Sequence, residues 1–116
     1  MTFSTTFPLR TWSTLNMREH WAARARKTKA ARRTVHLLWP WRASDETWDF
    51  PLAVTLTRIS PSKGLDDDNL RGALKEVRDQ VAAELGIDDG DKARVRWEYA
   101  EMRGPWGVGI SIEELT

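Results

Sequence analysis

The chain contains no cysteine. That excludes a disulfide framework, a thiolate zinc site and a cysteine nucleophile, so a bound metal must be held by oxygen or by His20 and His36, and two histidines alone make a poor site. The chain also lacks any run of about 18 apolar residues, the length that spans a bilayer. Its first ten residues, MTFSTTFPLR, lack the apolar stretch of a signal peptide. These absences set the expectation of a cytoplasmic protein with no membrane partner. Net charge is nearly absent too, at +1, but the cancellation hides a segregation. Between Met17 and Arg42 stand Arg18, Arg24, Arg26, Lys27, Lys29, Arg32, Arg33 and Arg42 against a single acid, Glu19. The acids gather at Asp66, Asp67 and Asp68 and again at Asp88, Asp89 and Asp91. A basic arm beside clustered carboxylates suits a polyanion bound at a metal-dependent site, because the arm attracts phosphate while a metal cancels the carboxylates' repulsion. An ordinary charged surface is the plainer reading of composition alone.

The 116 residues make one domain, residues 1–116, able to bury roughly two-thirds of the surface its unfolded form would expose. Residues 3–9 predict a short first strand ended near Pro8. Asn16, three residues before Glu19, offers a capping box, and Met17, Trp21, Ala25, Thr28, Ala31, Val35 and Leu38 recur at helical spacing up to Pro40. Residues 52–59 alternate as a β-branched strand. A second helix starts at Asp68 or Asn69, with Leu70, Ala73, Leu74, Val77, Val81 and Leu85 as its apolar stripe and Gly86 as its stop. Residues 95–102 and 107–112 read as two strands, and Gly104 and Pro105 between them point to a hairpin. The expected fold is therefore α+β, a mixed β-sheet with two main helices in the chain order β-α-β-α-β-β.

The most informative stretch is Leu65-Asp66-Asp67-Asp68-Asn69-Leu70. If it runs extended into the helix, strand alternation aims Asp66 and Asp68 to one side and Asp67 to the other. Two carboxylates can then share a hard cation such as Mg²⁺, with Mn²⁺ as a close substitute and the remaining positions left to water and phosphate. Aspartates before a helix are equally good caps.

This stretch, the alanine-containing helix through Ala73 and Leu74, and the Asp88-Asp89 pair about twenty residues later resemble, in order, the D-x-D-N-L motif, helix and second acidic site of the RusA family of Holliday-junction resolvases. The similarity covers residues 52–99. It implies a RusA-like fold and a homodimeric, Mg²⁺-dependent endodeoxyribonuclease of DNA recombination and repair, often carried by phages and prophages, that makes paired nicks in four-way junctions. It also implies Asp66, Asp68 and Asp89 as metal ligands, with Asp88 and Asp91 as rivals for the third place. The family's catalytic lysine falls at Gly72 here, where no side chain can touch phosphate. Lys75 is the nearest replacement, about 60° further round the helix, and a solvated surface lysine is its other reading.

A helix over residues 69–85 is about 25 Å long, so its two ends cannot share one ion. Asp89 must travel back, the helix must end early, or a second subunit must complete the site. For DNA contact the expected residues are Arg18, Arg26, Lys29 and Arg33, on one arc of the first helix together with His36, and Lys63. Among the seven tryptophans, Trp21 and Trp97 are expected in the core and Trp39, Trp41 and Trp106 are candidates for exposure, where an unpaired base could stack. The competing functions are a catalytically degenerate DNA-binding module, a nuclease acting on forks or flaps, and an enzyme on a small phosphorylated substrate.

Overall fold

A computed structural model describes residues 2–12, 21–40, 48–62 and 64–115. Its elements are β1 (Thr2–Phe7), α1 (Trp21–Leu38), β2 (Leu52–Ser60), α2 (Asp67–Ala73), α3 (Lys75–Leu85), β3 (Val95–Arg103) and β4 (Gly107–Glu114). The strands form a mixed sheet in the order β1-β4-β2-β3, in which β2 and β3 are parallel and the other pairs antiparallel. The α+β class and the mixed sheet are as expected. Alternation decides which side chains meet the helices: Leu52, Val54 and Leu56 of β2 and Val108, Ile110 and Ile112 of β4 are buried, while Thr55, Thr57 and Ser111 between them are half exposed. Leu70, Ala73, Leu74, Val77 and Val81 bury the expected stripe, and Leu85 packs at its margin. Each buried Leu or Val contributes roughly 1.5–3 kcal/mol of transfer free energy.

Three expectations need correction. The second helix is two helices, broken at Leu74 (φ −103°, ψ 3°), whose N–H is shared between the carbonyls of Leu70 and Arg71 before Arg78 N–H to Leu74 O starts the next turn. Gly72 just upstream carries about 1 kcal/mol less helix preference than alanine, which weakens this point. The sheet therefore carries three helices among the described residues rather than two.

Strands β3 and β4 are not a hairpin, since β2 lies between them. Residues 104–106 cross over the end of β2, with Gly104 N–H donating to Ser60 O. A Cβ at Gly104 would come within 3.2 Å of Ile59, so glycine permits the close passage.

On α1, Ala25 and Leu38 are exposed, and among its described side chains only Val35 is fully buried. Contacts from Thr28 to Glu76, Arg32 to Gln80 and His36 to Glu84 advance four residues at a time on both helices. Helices α1 and α3 thus run parallel, joined by a polar ladder as well as by apolar packing. The proposed capping box at Asn16 and Glu19 lies outside the described residues.

Helix α3 ends in a Schellman motif. Gly86 takes φ 70°, its N–H donates to Ala83 O, and Ile87 N–H donates to Ala82 O. A Cβ at Gly86 would meet nothing within 4 Å, so Gly86→Ala carries the conformational cost alone. It should lower stability by about 1 kcal/mol, and an unchanged urea midpoint would show that this cap does not hold the turn.

Candidate functional site

The carboxyl ends of β1, β2 and β3 and the start of β4 lie together at one end of the sheet. One inward row there reads Phe7, Val108, Arg58 and Glu101. Two of these four are charged. Arg58, 5% exposed, donates Nε–H to Thr11 Oγ1 at 2.9 Å and Nη1–H to Glu101 Oε2 at 3.2 Å. The Glu101 carboxylate also accepts Leu65 N–H, at 2.8 and 3.1 Å. One ion pair therefore ties the segment after β1 and the segment before α2 to the sheet.

From Leu65 the chain enters the acidic motif directly. Asp66 is extended (φ −69°, ψ 169°) and caps α2, its Oδ1 accepting both N–H (3.0 Å) and Nδ2–H (2.7 Å) of Asn69, which is buried. The helix begins at Asp67, so strand alternation does not relate Asp66 to Asp68. Asp68 is exposed in the first turn, and no hydrogen bond or ion pair engages it among the described residues. As oxygen donors, Asp66 and Asp68 suit a hard cation, and Mg²⁺ commonly takes only one or two carboxylates with water and phosphate completing its shell.

The second acidic segment is elsewhere. Asp88 Oδ1 accepts Gly90 N–H and Asp91 Oδ1 accepts Ala93 N–H, so both carboxylates shape the turn. Asp89 does travel back after Gly86. Its carboxylate pairs with Arg78 Nη2 at 3.0 Å and its carbonyl accepts Trp97 Nε1–H at 2.8 Å. Arg78 also donates to the Tyr99 hydroxyl. Burial works against the Arg78 charge, but Tyr99 and Asp89 outweigh it and hold its pKa above the ordinary arginine value. Trp97 is four strand residues from Glu101, about 13 Å, whereas a shared ion needs its ligands near 2 Å. Within one chain Asp89 does not join Asp66 and Asp68 in a group that could hold a metal. Among the described residues no three His, Asp or Glu side chains are grouped to hold a metal.

Positive charge is concentrated beside the first motif. Lys27 lies 3.6 Å from the ring centre of Trp12, Arg10 lies 4.1 Å from Trp12 and 4.8 Å from Trp106, and Arg58 lies 5.5 Å from Trp106. These contacts flank a pocket walled by α1, the segment after β1, and Gly72 and Glu76. Lys75 does not line it and pairs with Asp79 instead. Arg26, Lys29 and Arg33 are exposed on α1, whereas Arg18 and Lys63 lie outside the described residues. Trp39 is buried rather than exposed, Trp106 is half-buried over arginine, Trp97 is half-buried, and Trp41 and the side chain of Trp21 are outside the described residues.

Arg58, Glu101, Arg10 and Trp12 escaped the sequence reading. A signal existed for the first two, because both stand in the inward phase of their strands, two residues beyond Leu56 and Tyr99. A charge in that phase marks a buried pair once the register is known. Compared with known proteins, the chain matches no family model, and no curated protein is significantly similar to it. Among the described residues no helix is long and apolar enough to cross a membrane.

Proposed function

We propose that this chain is a structure-selective endodeoxyribonuclease of the RusA type, acting as a homodimer on four-way DNA junctions with Mg²⁺. The observation that carries the reading is the pair Asp66 and Asp68 at the start of α2, at the carboxyl end of the parallel strands, with the Arg10 and Lys27 pocket beside it. Ligand sites in sheets with parallel strands favour that end. Asp66 and Asp68 would hold the ion, and Asp89 of the second subunit is the third carboxylate in this proposal. Bound magnesium, or manganese in its place, supplies an activated water and neutralises charge on the scissile phosphate. Arg26, Lys29 and Arg33 bind the phosphate backbone electrostatically.

A catalytically degenerate DNA-binding module is the second reading. Gly72, which carries no side chain, and the engagement of Asp89 by Arg78 favour it.

The deciding assay incubates the protein with a synthetic four-way junction, a fork and linear duplex, with Mg²⁺ and with chelator. Symmetric metal-dependent nicks in the junction are expected. Binding without cutting selects the module, and cutting of the fork alone selects a flap or fork nuclease. Changing Arg26, Lys29 and Arg33 together to Gln should reduce the salt slope of junction binding by roughly 2 to 3, near 0.9 per lost phosphate contact. An unaltered slope would remove α1 from the DNA interface.

A further inference from the structure

Arg10 lies over two indole rings and is otherwise unengaged among the described residues. Its guanidinium carbon lies 4.1 Å from the ring centre of Trp12 and 4.8 Å from that of Trp106, contacts that use none of its five N–H donors as hydrogen bonds to oxygen. No hydrogen bond or ion pair engages Arg10 among the described residues. Lys27 lies 3.6 Å from the centre of the same Trp12 ring, so one indole attracts both cations. Arg24 lines the same pocket, also without a partner among the described residues.

Three cations here face one carboxylate. That carboxylate, Glu76, accepts the Thr28 hydroxyl at 3.3 Å. The Thr11 hydroxyl, occupied as an acceptor from Arg58, keeps its own proton to donate. Gly72 leaves its wall without a side chain, and it follows Asp68 by four residues, on the same stripe of α2. The cavity thus sets the donors of Arg10 and Arg24, unshared among the described residues, one helical turn from the acidic motif. Cations restrained by aromatic stacking lose less freedom on gripping an anion, which favours tetrahedral oxyanions with several acceptors.

We propose that this is a phosphate-binding pocket, with Arg10 and Arg24 as the clamp and Lys27 in support. That the phosphate belongs to a nucleic-acid strand rests on the function proposed above. A free phosphorylated compound is the other source of the same chemistry.

The test uses the full chain without metal. Pyrophosphate is titrated while the arginine Nε–H and indole N–H resonances are followed by NMR. In parallel, four-way junction binding is measured against salt for wild type, Arg10→Gln and Arg24→Gln. Both changed side chains are exposed, and matching circular dichroism melts confirm folding. Pyrophosphate should shift the Arg10, Trp12 and Trp106 signals. Each variant should bind the junction about tenfold more weakly, with a salt slope lower by about 1. Shifts with pyrophosphate in a protein that binds no DNA support the pocket, name the free compound as its source and remove the nuclease reading. Silent resonances together with unchanged junction affinity and slope in both variants overturn the pocket, while cleavage once Mg²⁺ is added to the same preparation leaves the nuclease reading standing.

Discussion

Asp68→Asn should lower metal-dependent cleavage of a four-way junction roughly a hundredfold or more, since losing a ligand removes several kcal/mol of transition-state stabilisation. Junction affinity should hold or rise, because the change removes one negative charge next to a cationic pocket. Folding should be unaffected, as Asp68 is exposed and the cap is made by Asp66. Cleavage at the wild-type rate would take Asp68 out of the chemistry. The same variant probes the proposed dimer, because within one chain Asp89 does not join Asp66 and Asp68 in a group that could hold a metal. If each site combines Asp66 and Asp68 of one copy with Asp89 of the other, exchanging Asp68→Asn with Asp89→Asn rebuilds one intact site per heterodimer. Nicking of a single strand should then reappear from two inactive proteins. A mixture that stays inactive after subunit exchange would exclude shared sites.

Glu101→Ala should lower stability by about 2–3 kcal/mol. It leaves the Arg58 guanidinium, 5% exposed, with Thr11 as its one hydrogen-bond partner among the described residues and the Trp106 ring beside it, and breaking a buried pair from one side costs about 3–5 kcal/mol. The lower figure applies because the Glu101 side chain is 23% exposed and solvent screens part of the loss. In urea this is a midpoint shift of about 1–2 M. The same substitution frees Leu65 N–H, so hydrogen exchange at that amide should accelerate ahead of the core strands. Glu101→Gln keeps an acceptor for Leu65 and should protect the amide while losing much of the ion pair. Arg58→Met combined with Glu101→Gln should recover most of the stability, because no charge is then left buried. A loss below about 0.5 kcal/mol in Glu101→Ala would mean the pair does not anchor the acidic segment.

The apolar stripe of α2 and α3 was legible because side-chain period follows from backbone geometry, and Leu70, Leu74, Val77 and Val81 obey it whatever they pack against. β2 was legible for the same reason. α1 was legible only as a helix: its polar partners Glu76, Gln80 and Glu84 sit 48 residues away, and nothing local shows that a threonine or arginine faces them. The supposed hairpin failed because Gly104 and Pro105 report a turn, and a turn does not say whether another strand lies between its arms.

The oxygen-rich stretch from Asp66 to Asn69 was legible by itself as a helix cap or as donors for a hard cation, and Asp66 does cap the helix. The cationic stack did not. Arg10, Trp12, Lys27, Arg58 and Trp106 come from four separate stretches of chain and are assembled only where the ends of the strands converge.

Local patterns alone thus determined the helix and strand segments, the apolar faces and an oxygen-rich motif suited to a hard cation, because each depends on neighbours within a turn or two. Tertiary structure decided the sheet order, the Arg58 and Glu101 anchor, the separation of the two acidic segments and the pocket beside Gly72. Those depend on which distant residues share a row or an end of the sheet, and that follows from the energetics of packing the whole chain.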